Sequence, residues 1–121
     1  MGLDMYAFKT TEQLASDVDF DVDSLEDIHV WRKHPDLHGW MEKLYRNKGG
    51  QEDVFNCTNL ALNKIDIERL ESAIICDMLP TTRGFFFGES DGTEKADDLE
   101  FIAKAKEALN NGYRVFYRSW W

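Results

Sequence analysis

Only two cysteines, two prolines and 14 basic residues occur in this 121-residue chain, and each scarcity excludes something. Cys57 and Cys76 stand far apart and outside any CxxC spacing. Neither a zinc ribbon nor a dithiol redox motif is encoded, and two half-buried thiols in a reducing compartment are expected. The shortage of proline, with 43% hydrophobic and 13% aromatic residues, makes the composition too apolar for disorder. No apolar run approaches the length of a membrane span. The start Met1-Gly2-Leu3-Asp4-Met5 lacks the basic and apolar regions of a secretion signal, so a cytoplasmic location without membrane contact is expected. Fourteen bases against 23 acids leave a net charge of -9, which opposes direct binding to a nucleic-acid backbone.

A chain of this length is expected to form a single α+β domain over residues 1–121, with one core. From Gly2 to Lys9 the residues alternate with apolar bulk on both faces, as does the stretch from Tyr113 to Trp121, and both read as inner strands of one sheet. Between them, Pro35 opens a helix in which Leu37, Met41, Leu44 and Tyr45 share a face until Asn47-Lys48-Gly49-Gly50. Asp66 is a natural cap for a second helix carrying Ile67, Leu70, Ile74, Ile75 and Met78 and ending before Pro80. Thr93 caps a third, from about Glu94 to Leu109, with Leu99, Ile102, Ala103 and Leu109 inward. Strands without regular βαβ alternation suggest a small antiparallel or mixed sheet, covered mainly on one side by about three helices. Val18, Phe20 and Val22 alternate with Asp17, Asp19, Asp21 and Asp23, which fits either an acidic edge strand or a solvated loop.

That aspartate series imitates the start of a calcium loop, but the sixth position is Val22 where glycine is needed and the twelfth is Ile28 where glutamate is needed. His34 and His38 are spaced to meet on one helical face, yet Pro35 puts His34 at the helix start and no cysteine lies nearby. No bound metal and no cofactor are expected. Arg32, Lys33 and His38 beside Trp31 and Trp40 offer cations near aromatic walls, suited to an anionic, partly flat ligand; equally, the tryptophans belong to the core and the bases project into water. Leu79-Pro80-Thr81-Thr82-Arg83-Gly84-Phe85-Phe86-Phe87-Gly88 offers hydroxyls and a guanidinium between flexible glycines, without a nucleotide-loop pattern. No serine or cysteine is placed by local sequence as a nucleophile, so no catalytic residue is assigned.

The blocks Met1-Gly2-Leu3-Asp4-Met5-Tyr6, Trp31-Arg32-Lys33 with His38 and Trp40, Leu79-Pro80-Thr81 with Gly84-Phe85-Phe86-Phe87-Gly88, and Tyr117-x-Ser119-x-Trp121 follow in this order. Through them the chain resembles a family of small uncharacterised proteins of bacteria and their phages. The resemblance implies a bacterial or phage origin and a set of motif positions, but no activity. The chain departs from it at His34-Pro35, where the family more often has Ala-Asn within a longer helix.

The motif blocks carry polar residues that a core does not require: Asp4, Arg32, Lys33, His38, Thr81, Arg83 and Ser119. Two arrangements account for them, a ligand-binding site on which they converge or a buried polar network that fixes the fold. Two functions follow. One is a non-enzymatic accessory protein that binds a host macromolecule, with the acidic surface steering it to a basic host protein. The other is a pocket for a small anionic ligand such as a nucleotide, with His38 as an acid or base if it is turned over.

Overall fold

The computed structural model describes residues 3–80 and 94–121. Seven elements follow in the order β1 (Asp4–Thr10), β2 (Glu26–Arg32), α1 (Pro35–Asn47), β3 (Leu60–Leu62), α2 (Lys64–Ile75), α3 (Lys95–Asn110) and β4 (Arg114–Trp120). The strands form one antiparallel sheet in the order β2-β1-β4-β3, so the two strands expected at the centre are there, paired from Asp4↔Trp120 to Thr10↔Arg114. The α+β architecture with three helices is as the sequence implies. Among the described residues no helix is long and apolar enough to cross a membrane.

The period of two explains the sheet's two sides. Met5 and Ala7 of β1, Trp31 of β2, Val115 and Tyr117 of β4, and Leu60 and Leu62 of β3 point to the inner side. There they join Leu37, Met41, Tyr45, Ile67, Leu70, Phe101, Ile102 and Ala105 of the helices in the main core. The intervening Phe8 and Phe116 point outward and meet Phe20, with Tyr6, Leu14, Val22 and Ala61 alongside. Phe116 is the hub of this second cluster, its ring 5.2 Å from Phe8 and edge-on to Phe20 at 5.4 Å.

The acidic stretch is therefore a loop over the outer face and not an edge strand. Among the described residues its only ladder contact is a bridge between Val18 and Leu60. It is held down instead by side chains: Glu12 accepts the backbone N–H groups of Asp23 and Ser24, Asn59 donates to the Phe20 carbonyl at 2.7 Å, and Tyr45 donates to Asp19 at 2.6 Å. Phe20 and Val22 supply the apolar face of this loop, while Asp17, Asp21 and Asp23 stay in water.

Two strands were not expected. In β2 the alternation of His29 and Trp31 inward with Val30 and Arg32 outward mixes polarity on both faces, and β3 is only three residues long. The helix ends also differ in detail. Asn63, not Asp66, caps α2; Asp66 closes a capping box from inside the first turn, and its carboxylate meets Lys48 Nζ at 2.5 Å. The inward stripe of α3 is Asp98, Phe101, Ile102, Ala105 and Ala108, displaced from the expected one, and Ala103 is exposed. Both thiols are exposed rather than half-buried. Thr93 and the Gly84 to Gly88 block lie outside the described residues.

Candidate functional site

The expected site residues fall on opposite sides of the sheet. Asp4 and Arg32 are directly opposed in the β1–β2 register and project outward, where Arg32 Nε donates to Asp4 Oδ1 at 3.1 Å with the guanidinium side chain 75% exposed. Lys33 follows in a left-handed conformation, φ 54°, with its side chain exposed and its backbone N–H tied to the Leu3 carbonyl at 2.8 Å. His38 and Ser119 are buried on the inner side. Thr81 and Arg83 lie outside the described residues. Strand alternation puts the sheet between Arg32 and His38, so these two do not meet.

On the inner side the polar residues make a buried network. His38, on the first turn of α1, sits against the Phe55 ring, and its Nδ1 lies 2.7 Å from the Tyr117 hydroxyl. Burial pulls the imidazole down from 6.5 to about 4, so the ring is neutral at physiological pH. Burial pushes the Tyr117 phenol well above its usual 10, and a hydrogen bond from Ser119 partly offsets this. A protonated phenol that accepts from Ser119 donates its own hydrogen to Nδ1, which leaves the His38 proton on Nε2. His38 is only 1% exposed, and its ring is held mainly in the neutral form.

A second buried set lies beside it. Asp98 is 2% exposed and accepts from Trp31 Nε1 at 3.0 Å and from His34 Nε2 at 2.8 Å. His34 Nδ1 is also 4.0 Å from Glu94. The ion pair borders a cleft of about 210 Å³ lined by Asp36, Asp77, Leu79, Glu94 and Lys95. Among the described residues that line it, carboxylates outnumber bases, which is the reverse of what an anionic ligand requires. Sequence reasoning passed over Asp98, although a carboxylate on the same helical stripe as Phe101, Ile102 and Ala105 is the kind of buried polar residue that demands a partner.

Comparison with protein-family models, with curated proteins and with solved structures finds no match to this chain. The site is accordingly read from its own geometry.

The outer face divides in two. Towards Phe8 and Phe116 it is covered by the acidic loop; towards Asp4 and Trp120 no described element covers it. The open half presents Trp120, 65% exposed on a central strand, and Val30, 50% exposed on β2. Tyr6 is half-buried between them, and Arg32 and Arg118 flank them. The sequence signal was available: the closing strand alternates Arg114, Phe116, Arg118 and Trp120 on one face, and Arg118 and Trp120 are exposed.

Proposed function

We propose that this protein is a non-enzymatic accessory protein of bacterial or phage origin that binds a host protein through the open half of its outer sheet face. The observation that carries this reading is Trp120, an indole 65% exposed near the end of a central strand, with Val30 and Tyr6 beside it and arginines around it. Tryptophan and arginine are the side chains that most often anchor protein interfaces, because one brings large apolar area and the other directional hydrogen bonds. The acidic loop next to this face extends the surface. It favours a partner with an apolar or aromatic anchor for Trp120 and basic groups that reach Asp21 and Asp23.

Two features weigh against a small-ligand pocket. Of the cations expected to hold an anion, Arg32 projects away from His38, Lys33 is exposed and Arg83 lies outside the described residues, and the described lining of the cleft at His34 and Asp98 is mainly carboxylates. The hydrogen bond between His38 and Tyr117 joins α1 to β4.

The test is site-specific photo-crosslinking from position 120 in a bacterial lysate, with position 65 as control, since Ile65 is equally exposed, at 58%, at the start of α2. The expected result is one protein captured from position 120 and not from 65. Its binding, measured with the purified partner, should weaken by about 2 kcal/mol or more in Trp120→Ala. Capture of nucleic acid in place of protein, equal capture from both positions, or unchanged affinity of the Trp120→Ala variant overturns the proposal.

A further inference from the structure

Apart from the docking face, the start of α3 and the inner side of β2 bring together His29, Asp97 and Glu100, whose ligand atoms all lie within 4.8 Å of one another. We propose that these three residues form a binding site for one divalent ion of the zinc class. The site does not rest on the docking reading. His29 stands 68 or more positions from the two carboxylates in the chain, which is why local spacing of histidines suggested no metal.

Two independent observations support it. The first is the donor set: one imidazole and two carboxylates, with the carboxylates one helical turn apart on α3, supply three ligands and two negative charges for a 2+ ion, and leave a position for water. The second is the state of His29 itself. Its side chain is 5% exposed and its Nε2 lies 3.1 Å from Asp97 Oδ2, yet the two are misaligned for a hydrogen bond, and the buried nitrogen has no hydrogen-bond partner. A buried polar atom without a partner is costly. A metal ion between Nε2 and the carboxylate removes that cost, because cis ligands of a zinc-class ion stand about 3 Å apart, given bonds of about 2 Å.

The ring is fixed in place. It tilts against the Trp31 indole at 4.6 Å and the Phe101 ring at 5.8 Å, so its direction towards Asp97 is set by the core. The one base beside it is Lys104, whose Nζ is 3.4 Å from Nδ1 and 4.0 Å from Glu100 Oε1. Metal binding at Nε2 requires the ring proton on Nδ1, so Lys104, 43% exposed, turns away into solvent as the ion enters. An ion held here ties the first turns of α3 to β2, an edge strand of the sheet.

Titration calorimetry of Zn²⁺ into tag-free, chelator-treated protein tests this, together with the visible absorption of Co²⁺ in the same protein. The expected result is one ion per chain at micromolar affinity, with Co²⁺ bands of a low-coordinate nitrogen and oxygen site. Asp97→Asn and Glu100→Gln should each weaken binding by about tenfold or more, and the double variant should lose it. Both positions are solvent-facing, so a cooperative melt at the wild-type temperature in metal-free buffer establishes that the variants fold. The Cys57→Ser/Cys76→Ser variant should bind as wild type. Absence of Zn²⁺ binding, binding unchanged by the Asp97→Asn/Glu100→Gln pair, or binding lost with the cysteines overturns the site.

Discussion

The two sides of this sheet use polar residues in opposite ways. On the inner side, His34, His38, Asp98, Tyr117 and Ser119 are all nearly inaccessible, and each sits in a hydrogen bond or ion pair within packed aromatic rings. On the outer side, Arg32 and Arg118 are exposed, with Arg32 in a solvent-facing pair with Asp4. The inner residues define the fold, because a buried polar group tolerates only the arrangement that satisfies it. The outer ones contribute little to folding and are free to meet another molecule. Residues that sit side by side in the sequence, such as Trp31 and Arg32, therefore serve different ends.

The strongest way to break that contrast is to remove the strand that serves both sides. Deleting residues 117–121 takes away Tyr117 and Ser119, four of the seven β1–β4 pairs, and the hydrogen bonds of Trp121 to Asn56 and Phe55. Loss of the cooperative thermal transition is expected by calorimetry. A truncated chain that melts as wild type would show that the sheet does not depend on β4.

Next in size is Asp98→Ala. It removes the acceptor shared by the His34 imidazole and the Trp31 indole N–H at a buried position, Asp98 being only 2% exposed. Removing one partner of a buried pair typically costs about 3–5 kcal/mol. Urea denaturation should place the loss in that range; a loss below about 1 kcal/mol would mean that water reaches the site and that the inner network does not define the fold.

His38 gives a test that needs no redesign of the core. Its folded-state pKa, about 4, lies below the ordinary 6.5, so between these values the unfolded chain binds a proton that the folded chain does not. The stability it contributes is complete above about pH 6.5 and falls as the pH drops towards 4, by about 3 kcal/mol in all. Measured from pH 7 to 4.5, the wild type should lose stability more steeply than His38→Gln, which has no proton to gain. Parallel profiles would show that another group governs the acid limb.

How much of this was legible beforehand depends on where the physical cause lies. The central position of β1 and β4 follows from apolar bulk on both faces of each segment, and the helices follow from the spacing of Leu37, Met41 and Tyr45 in α1 and of Ile67, Leu70 and Ile74 in α2. These are local patterns. β2 was hidden because its inward residues include a histidine, whose burial becomes favourable only beside Trp31 and Phe101, and Phe101 lies some 70 positions away. β3 was hidden by its length. The separation of Arg32 from His38 was hidden for a related reason: motif residues were grouped by proximity in sequence, whereas strand alternation sends neighbours to opposite faces. Asp98 was passed over because a lone acid in a helix rich in acids carries no signal until its helical stripe is drawn.

The smallest expected effect on folding belongs to the outer face, and it is the sharpest test of the contrast. Arg32 has its side chain 75% exposed, and its pairing with Asp4 is across solvent. Such a pair contributes about 0–1 kcal/mol, since water screens the attraction and the long side chain loses rotamer freedom to make it. Trp120, at 65% exposed, buries too little of its ring to anchor the core. Arg32→Ala and Trp120→Ala should therefore each shift the urea midpoint by less than the equivalent of about 1 kcal/mol, while lowering affinity for the protein captured at position 120. If either substitution instead costs as much as Asp98→Ala, the outer face is structural like the inner one. The division between a fold-defining side and a binding side then fails.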